Sequence, residues 1–439
     1  MAQSSGLVHN GARALFQGVA MTPPRALDAR PFGLSLLVSG LAVAMAALAM
    51  AARFLSDIAA DVVPPAPEGA LWRELEYNAG PSAMLLIFGL LALDAARVAG
   101  GPRPQWAGAI QVVAAATGAL AALTSTAGLL LDLDVIGRTA ADTAMALTLI
   151  AMTLAGGAAL GRARRLLEPP WIWWGAASLG ALSLMAFTAA YGLEDAQVFW
   201  LLVAAYPAAM AVCTTTYGEA GRPSAAARIA TAFGTVLGAL CAGGLIAALL
   251  SDDRVLVLSF FYLLMMAALL NLVAIGAAML GAARRTPDPG AWGLALGGVV
   301  LLISAMLPSW SPDWIPERRD WFQRAGMIPA QAFLGVFLVT IAGLIRLLRR
   351  HDPRGGPPRL APWFLLVAAF AFLALDNLKG LLSSYDVFIN HQMDRPAIIL
   401  HGRIASASAL LYLALLGALA PSWWRATLDL LKRSAPEPG

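Results

Sequence analysis

Apolar runs, each long enough to cross a bilayer as a helix, recur twelve times along the 439 residues, and the loops between them are by turns basic and acidic. They fall at 33–53, 81–99, 107–131, 141–161, 171–192, 197–216, 228–250, 255–283, 291–309, 329–350, 362–384 and 397–420. A hydrocarbon core of roughly 30 Å needs about 20 helical residues per crossing. The runs therefore use most of the chain and leave loops too short for a soluble domain. With both ends on the inner side, the inner loops and tails hold 20 Arg and Lys against 8 Asp and Glu, while the outer loops and outward helix ends hold 10 against 18. Arg and Lys resist translocation more than carboxylates do, so this partition orients the chain in a bacterial-type inner membrane. The expected fold is an all-α polytopic integral membrane protein of about twelve transmembrane helices with both termini cytoplasmic.

Three segments follow from that reading. Residues 1–32 form a cytoplasmic N-terminal segment, 33–420 a single membrane domain divisible into halves at 33–216 and 228–420, and 421–439 a cytoplasmic interfacial tail that alternates Leu with Arg425, Lys432 and Arg433. No A-x-A site follows the first run, so it reads as a retained span and not as a cleaved signal peptide. With 59% hydrophobic residues, 13% charged ones and a mean hydropathy of +0.71, the chain excludes a soluble globule of this size. The pI near 9.3 would point to nucleic acid in a soluble protein. Here the excess base lies on one side, opposite anionic lipid headgroups, so membrane lipids are the expected partner and nucleic acid is not. Cys213 and Cys241 both fall inside spans, which argues against a disulfide framework or a thiolate metal site, and no cofactor or metal is expected.

Tryptophan gives an independent register, because its ring is apolar and its N–H needs a partner at the headgroup level. All thirteen lie at or beyond a span end, for example Trp106, Trp292, Trp363, Trp423 and Trp424 inside and Trp72, Trp200, Trp310 and Trp321 outside. Small residues mark expected helix contacts, since membrane helices associate where backbones approach closely. Gly234, Gly238 and Ala242 repeat every four residues in the seventh span, and Gly293 with Gly297 in the ninth. Such faces also provide a route to an oligomer or a complex partner.

Charge inside a bilayer costs free energy, so ionisable residues within spans are candidates for function. Asp94, Arg97 and Asp142 lie within a turn or two of span ends, where snorkelling to water and a structural role account for them. The eleventh span differs. Asp376 and Lys379 are one turn apart on one face, and at 1.5 Å per residue they lie roughly 12 Å and roughly 7 Å below the outer boundary. His401 and Arg403 of the twelfth span reach roughly 7 to 11 Å by the same arithmetic. The four groups share one layer of two helices joined by a short loop. Lys379 and Arg403 can hold an anionic group there, or Asp376 and His401 can exchange a proton; an ion pair that merely locks two helices is the competing reading. His391 and Arg395 of the outer loop complete the candidate substrate-binding set. A weaker candidate is the sixth span, where Tyr206-Pro207 interrupts the hydrogen-bond ladder.

Absent motifs narrow the chemistry. There is no Walker-type loop for an ATP-driven motor, and His401 is the only histidine in a span, too few for a haem–copper centre. The stretch Gly89 to Arg103, with Asp94, Arg97, Gly101 and Arg103, resembles the Gly-x-x-x-Asp-Arg…Gly-Arg cytoplasmic loop of major facilitator transporters over fifteen residues, with different spacing. The first functional reading is a permease-like transporter of a small or amphiphilic solute. The alternatives are an outer-leaflet enzyme acting on a lipid-linked or glycan substrate, and a non-catalytic integral subunit or assembly factor of a membrane complex.

Overall fold

The computed structural model describes residues 26–59, 105–131, 289–306, 327–374 and 408–433, most of 86–94, and isolated positions between 143 and 150 and between 229 and 273. Among them every regular element is helical. The helices are α1 (Ala26–Ala59), α2 (Gln105–Leu131), α3 (Pro289–Met306), α4 (Met327–His351), α5 (Ala361–Ala374) and α6 (Ser408–Arg433). The stretch 86–94 is helical at each described position. Within α1, Pro31–Leu48 forms a window of mean hydropathy 2.0, the one stretch among the described residues long and apolar enough to cross a membrane; shorter apolar stretches are Gly108–Leu120, Gly290–Ser304 and Ala361–Ala374. At 34 residues, α1 is about 51 Å long and begins a full turn and more before its apolar run.

Packing contacts settle the helix directions. The Ser35 hydroxyl lies 3.2 Å from the Gly108 carbonyl and 2.9 Å from that of Pro31. Farther along, Ala42 packs with Ala114 and Ala115, so α1 and α2 run parallel. Leu86 joins the same cluster, and Gln111 Nε2 donates to its carbonyl at 3.0 Å. The glutamine amide occupies the space that a side chain at Gly89 would need. α6 runs antiparallel to α1: Leu430 and Leu431 lie against Gly33, and the Trp423 indole lies against Gly40 and donates to the Leu36 carbonyl at 2.8 Å. The helix continues without interruption through Pro421, so residues 423–433 continue the axis of residues 408–420 and pack on the start of α1.

α3 and α4 are also antiparallel, with Gly298 against Gly335 near their middles and the Arg346 guanidinium 5.2 Å from the Trp292 ring centre at one end. A Cβ at Gly298 would stand 2.7 Å from the Gly335 carbonyl, and one at Gly335 would stand 2.9 Å from that of Gly298. The backbones touch, as close helix association in lipid requires. The expected pair behaves differently: nothing lies within 4 Å of a Cβ at Gly293, and Gly297 meets only Leu338 at 3.9 Å. Gly234, Gly238 and Ala242 lie outside the described residues. α4 is buried at every position from 334 to 348, with Phe337 edge-on to the buried Tyr412 of α6. A helix apolar on all sides belongs in the middle of a bundle.

Outward faces carry apolar stripes. Leu34, Leu41 and Leu48 are exposed on α1, Val113, Leu120 and Leu123 on α2, and Ile229, Phe233, Val236 and Leu240 at helical positions of the seventh apolar run.

Candidate functional site

The directions of α1, α3, α4 and α6 bring residues 31–36, 94, 108, 290–292, 346–363 and 423–433 to one end of the bundle. A charged hub forms there around three consecutive residues, Arg350, His351 and Asp352. They cap the C-terminus of α4, whose last turn is Arg349, Arg350 and His351. Cations at that position complement the negative end of the helix dipole.

The hub residues reach two separate segments, Arg350 and His351 that of Asp94, and Asp352 that of α6. Arg350 donates through a terminal guanidinium nitrogen to Asp94 Oδ2 at 2.5 Å, and His351 Nε2 lies 3.0 Å from Asp94 Oδ1, a hydrogen bond when that nitrogen carries the proton. The Asp94 side chain is only 2% exposed. The Phe32 ring of α1 stands 5.5 Å from the His351 ring at a tilt of 53°. Asp352 turns the other way, toward α6. Its carboxylate accepts from Ser422 Oγ at 2.6 Å and from Arg425 Nε and a terminal nitrogen at 2.9 to 3.2 Å, a bidentate arrangement. Its remaining contact is the Arg354 amide at 3.0 Å, which makes a local turn of the kind that Asp side chains favour.

The electrostatics follow from these partners. Burial by itself pushes the Asp352 carboxyl up, but the hydrogen bonds from Arg425, Ser422 and the Arg354 amide, with the charge of Arg425, outweigh it and hold the group below the usual carboxylate range. The hydrogen bond to Asp352 in turn raises the Arg425 pKa. Two carboxylates taken almost fully out of water are thus each answered by cations from another part of the chain. No cluster of metal-ligating residues occurs among the described residues. The arrangement holds distant segments of the chain together.

The candidate residues Asp376, Lys379, His401, Arg403, His391 and Arg395 all lie outside the described residues, as do Arg97, Tyr206 and Pro207. Asp94, read as a span-end residue in reach of water, is instead buried and paired. Sequence reasoning passed over Arg350, His351, Asp352, Ser422 and Arg425. One signal was available: Asp352 is the single acid in the basic stretch from Arg346 to Arg359, and an acid retained there calls for a dedicated partner. Of the inner tryptophans, Trp292 and Trp423 are buried in helix contacts, while Trp363 and Trp424 remain about half exposed, as an interfacial role requires. No family model, no curated protein and no solved structure matches this chain.

Proposed function

We propose that the chain is a multi-pass protein of the cell inner membrane, with about twelve spans, and that it works as a permease-like transporter of a small or amphiphilic solute. The observation that carries the reading is the hub. Asp94 and Phe32 come from the first quarter of the chain, and Arg350, Asp352 and Arg425 from the last, with Asp94 and Arg350 separated by 256 residues. An inner end closed by ion pairs between distant parts of the chain can open by exchanging those pairs for water. Alternating access needs such a closure. The stripes of exposed leucine, valine and phenylalanine support lipid as the solvent of the outer faces. The basic bias of the loops at the hub end supports the cytoplasmic side for it. Within this reading the layer of Asp376, Lys379, His401 and Arg403, with His391 and Arg395, is the solute site.

The test is accessibility. Ser39 is fully buried on α1, one turn above the Leu36 carbonyl that receives Trp423. In protein lacking Cys213 and Cys241, Ser39→Cys should react slowly with a thiol reagent supplied from the hub side, and about tenfold faster when Asp94→Asn weakens the closure, by roughly 1.4 kcal/mol of shifted equilibrium. Thermal unfolding measured in parallel separates opening from loss of fold. Equal reaction rates in the two proteins, at equal stability, would remove the transporter reading in favour of a static subunit.

A further inference from the structure

The turn between α4 and α5 folds back on its own helix. Gly355 and Gly356 take φ of 85° and 89°, a region that residues with a Cβ rarely enter. A Cβ at Gly356 would overlap the Arg349 stem, so the turn lies directly over that side chain. Of the acids described at this end, Asp94 is engaged by Arg350 and His351, Asp352 by Arg425 and Asp429 by Arg433. Among the described residues no carboxylate pairs with Arg354 or Arg359, and both are exposed.

An apolar stripe begins at the next residue. Leu360 is 76% exposed, and Trp363, Phe364, Val367 and Phe370 follow on the same face of α5, each between 48% and 68% exposed. Their spacing of three and four residues keeps them in one line, about 15 Å long from Leu360 to Phe370 at the helical rise. Concentrated positive charge at the head of an unpartnered apolar line has a specific complement, a molecule with a phosphate at one end and hydrocarbon behind it. A protein partner's helix would need carboxylates placed opposite the arginines as well as an apolar face, and a soluble anion would answer the arginines but leave the stripe bare.

We propose that Arg354 and Arg359, with the α5 face from Leu360 to Phe370, form a binding site for an anionic phospholipid, the headgroup phosphate on the arginines and an acyl chain along the stripe. The site rests on the membrane-spanning reading and is independent of transport. It gives the inner leaflet a fixed hold on the turn that carries Asp352, one residue beyond the α4 terminus, and so a means of coupling lipid composition to the hub.

The experiment uses the full chain in nanodiscs of phosphatidylcholine containing a trace of lipid with a photoreactive acyl chain, bearing either a phosphatidylglycerol or a phosphatidylcholine headgroup. Labelling is mapped by mass spectrometry to the peptide from Leu360 to Phe370. The phosphatidylglycerol probe should label this peptide more than the phosphatidylcholine probe, and the preference should fall about fivefold for each of Arg354→Gln and Arg359→Gln, both at exposed positions. Trp363→Ala should lower labelling by both probes and leave the headgroup preference in place. Equal labelling by the two probes, or a preference that survives the double Gln variant, would overturn the site. Displacement of the preference by millimolar inorganic phosphate would do so too, assigning the arginines to a soluble anion. Failure of the protein to enter nanodiscs would instead count against the membrane reading on which the site rests.

Discussion

Asp352 sits at the point where residue chemistry becomes visible in a bulk measurement. Its carboxyl is held below the usual range in the folded protein, whereas in an unfolded chain it titrates near pH ~3.9. A depressed folded pKa contributes stability that is fully present above the unfolded value and is lost as pH falls through the folded one. Thermal unfolding in detergent should therefore show wild type losing stability below about pH 4 more steeply than Asp352→Asn. At neutral pH the variant should be the less stable protein, because asparagine cannot match a carboxylate between Arg425 and Ser422. Parallel curves for the two proteins over the acid range would show that the bidentate contact does not persist in solution.

Helix contacts are decided at the level of the element, and α3 with α4 shows how. Two glycines four residues apart in α3, Gly293 and Gly297, carry the pattern expected of a contact face. The close approach is made by Gly298 instead, against Gly335 of α4. Backbone cannot yield as a flexible side chain can, so Gly298→Ala should cost about 1–3 kcal/mol through forced separation of the helices. Gly293→Ala should be neutral or slightly stabilising, since open space surrounds that position and alanine favours helix. Thermal shifts of the two variants in the same detergent check this. A loss at Gly293 equal to that at Gly298 would restore the four-residue pattern as the contact face.

For the whole molecule the measurable quantity is sidedness. The hub, the α4–α5 turn and the end of α6 share one end of the bundle, and 20 of the 30 basic residues lie in loops assigned to that side. Arg354→Cys in protein lacking Cys213 and Cys241 should be reached by an impermeant thiol reagent only in inverted vesicles or opened cells, because the proposed topology puts the exposed turn in the cytoplasm. Labelling from outside intact cells would invert the topology, and with it the assignment of the hub as an inner closure.

Helicity, the apolar character of the outward faces and the alternation of basic and acidic loops were legible in the residues alone. Each depends on local properties: a run of apolar side chains long enough to satisfy its own backbone, and charges whose cost of crossing is paid one loop at a time. Parallel α1 and α2 and antiparallel α3 and α4 are compatible with alternating crossings. The site was not legible in the same way. Asp94 read as a span-end carboxylate with a structural role or in reach of water, and nothing near it in sequence names Arg350 or His351, which arrive from 256 and 257 residues away. Which face of α3 meets α4 was equally hidden, because a helix apolar all round offers several stripes of small residues and only shape complementarity chooses among them. Burial then does the rest: once packing excludes water from Asp94 and Asp352, each must find a cation. Only the tertiary structure decided that those cations would be Arg350 and Arg425.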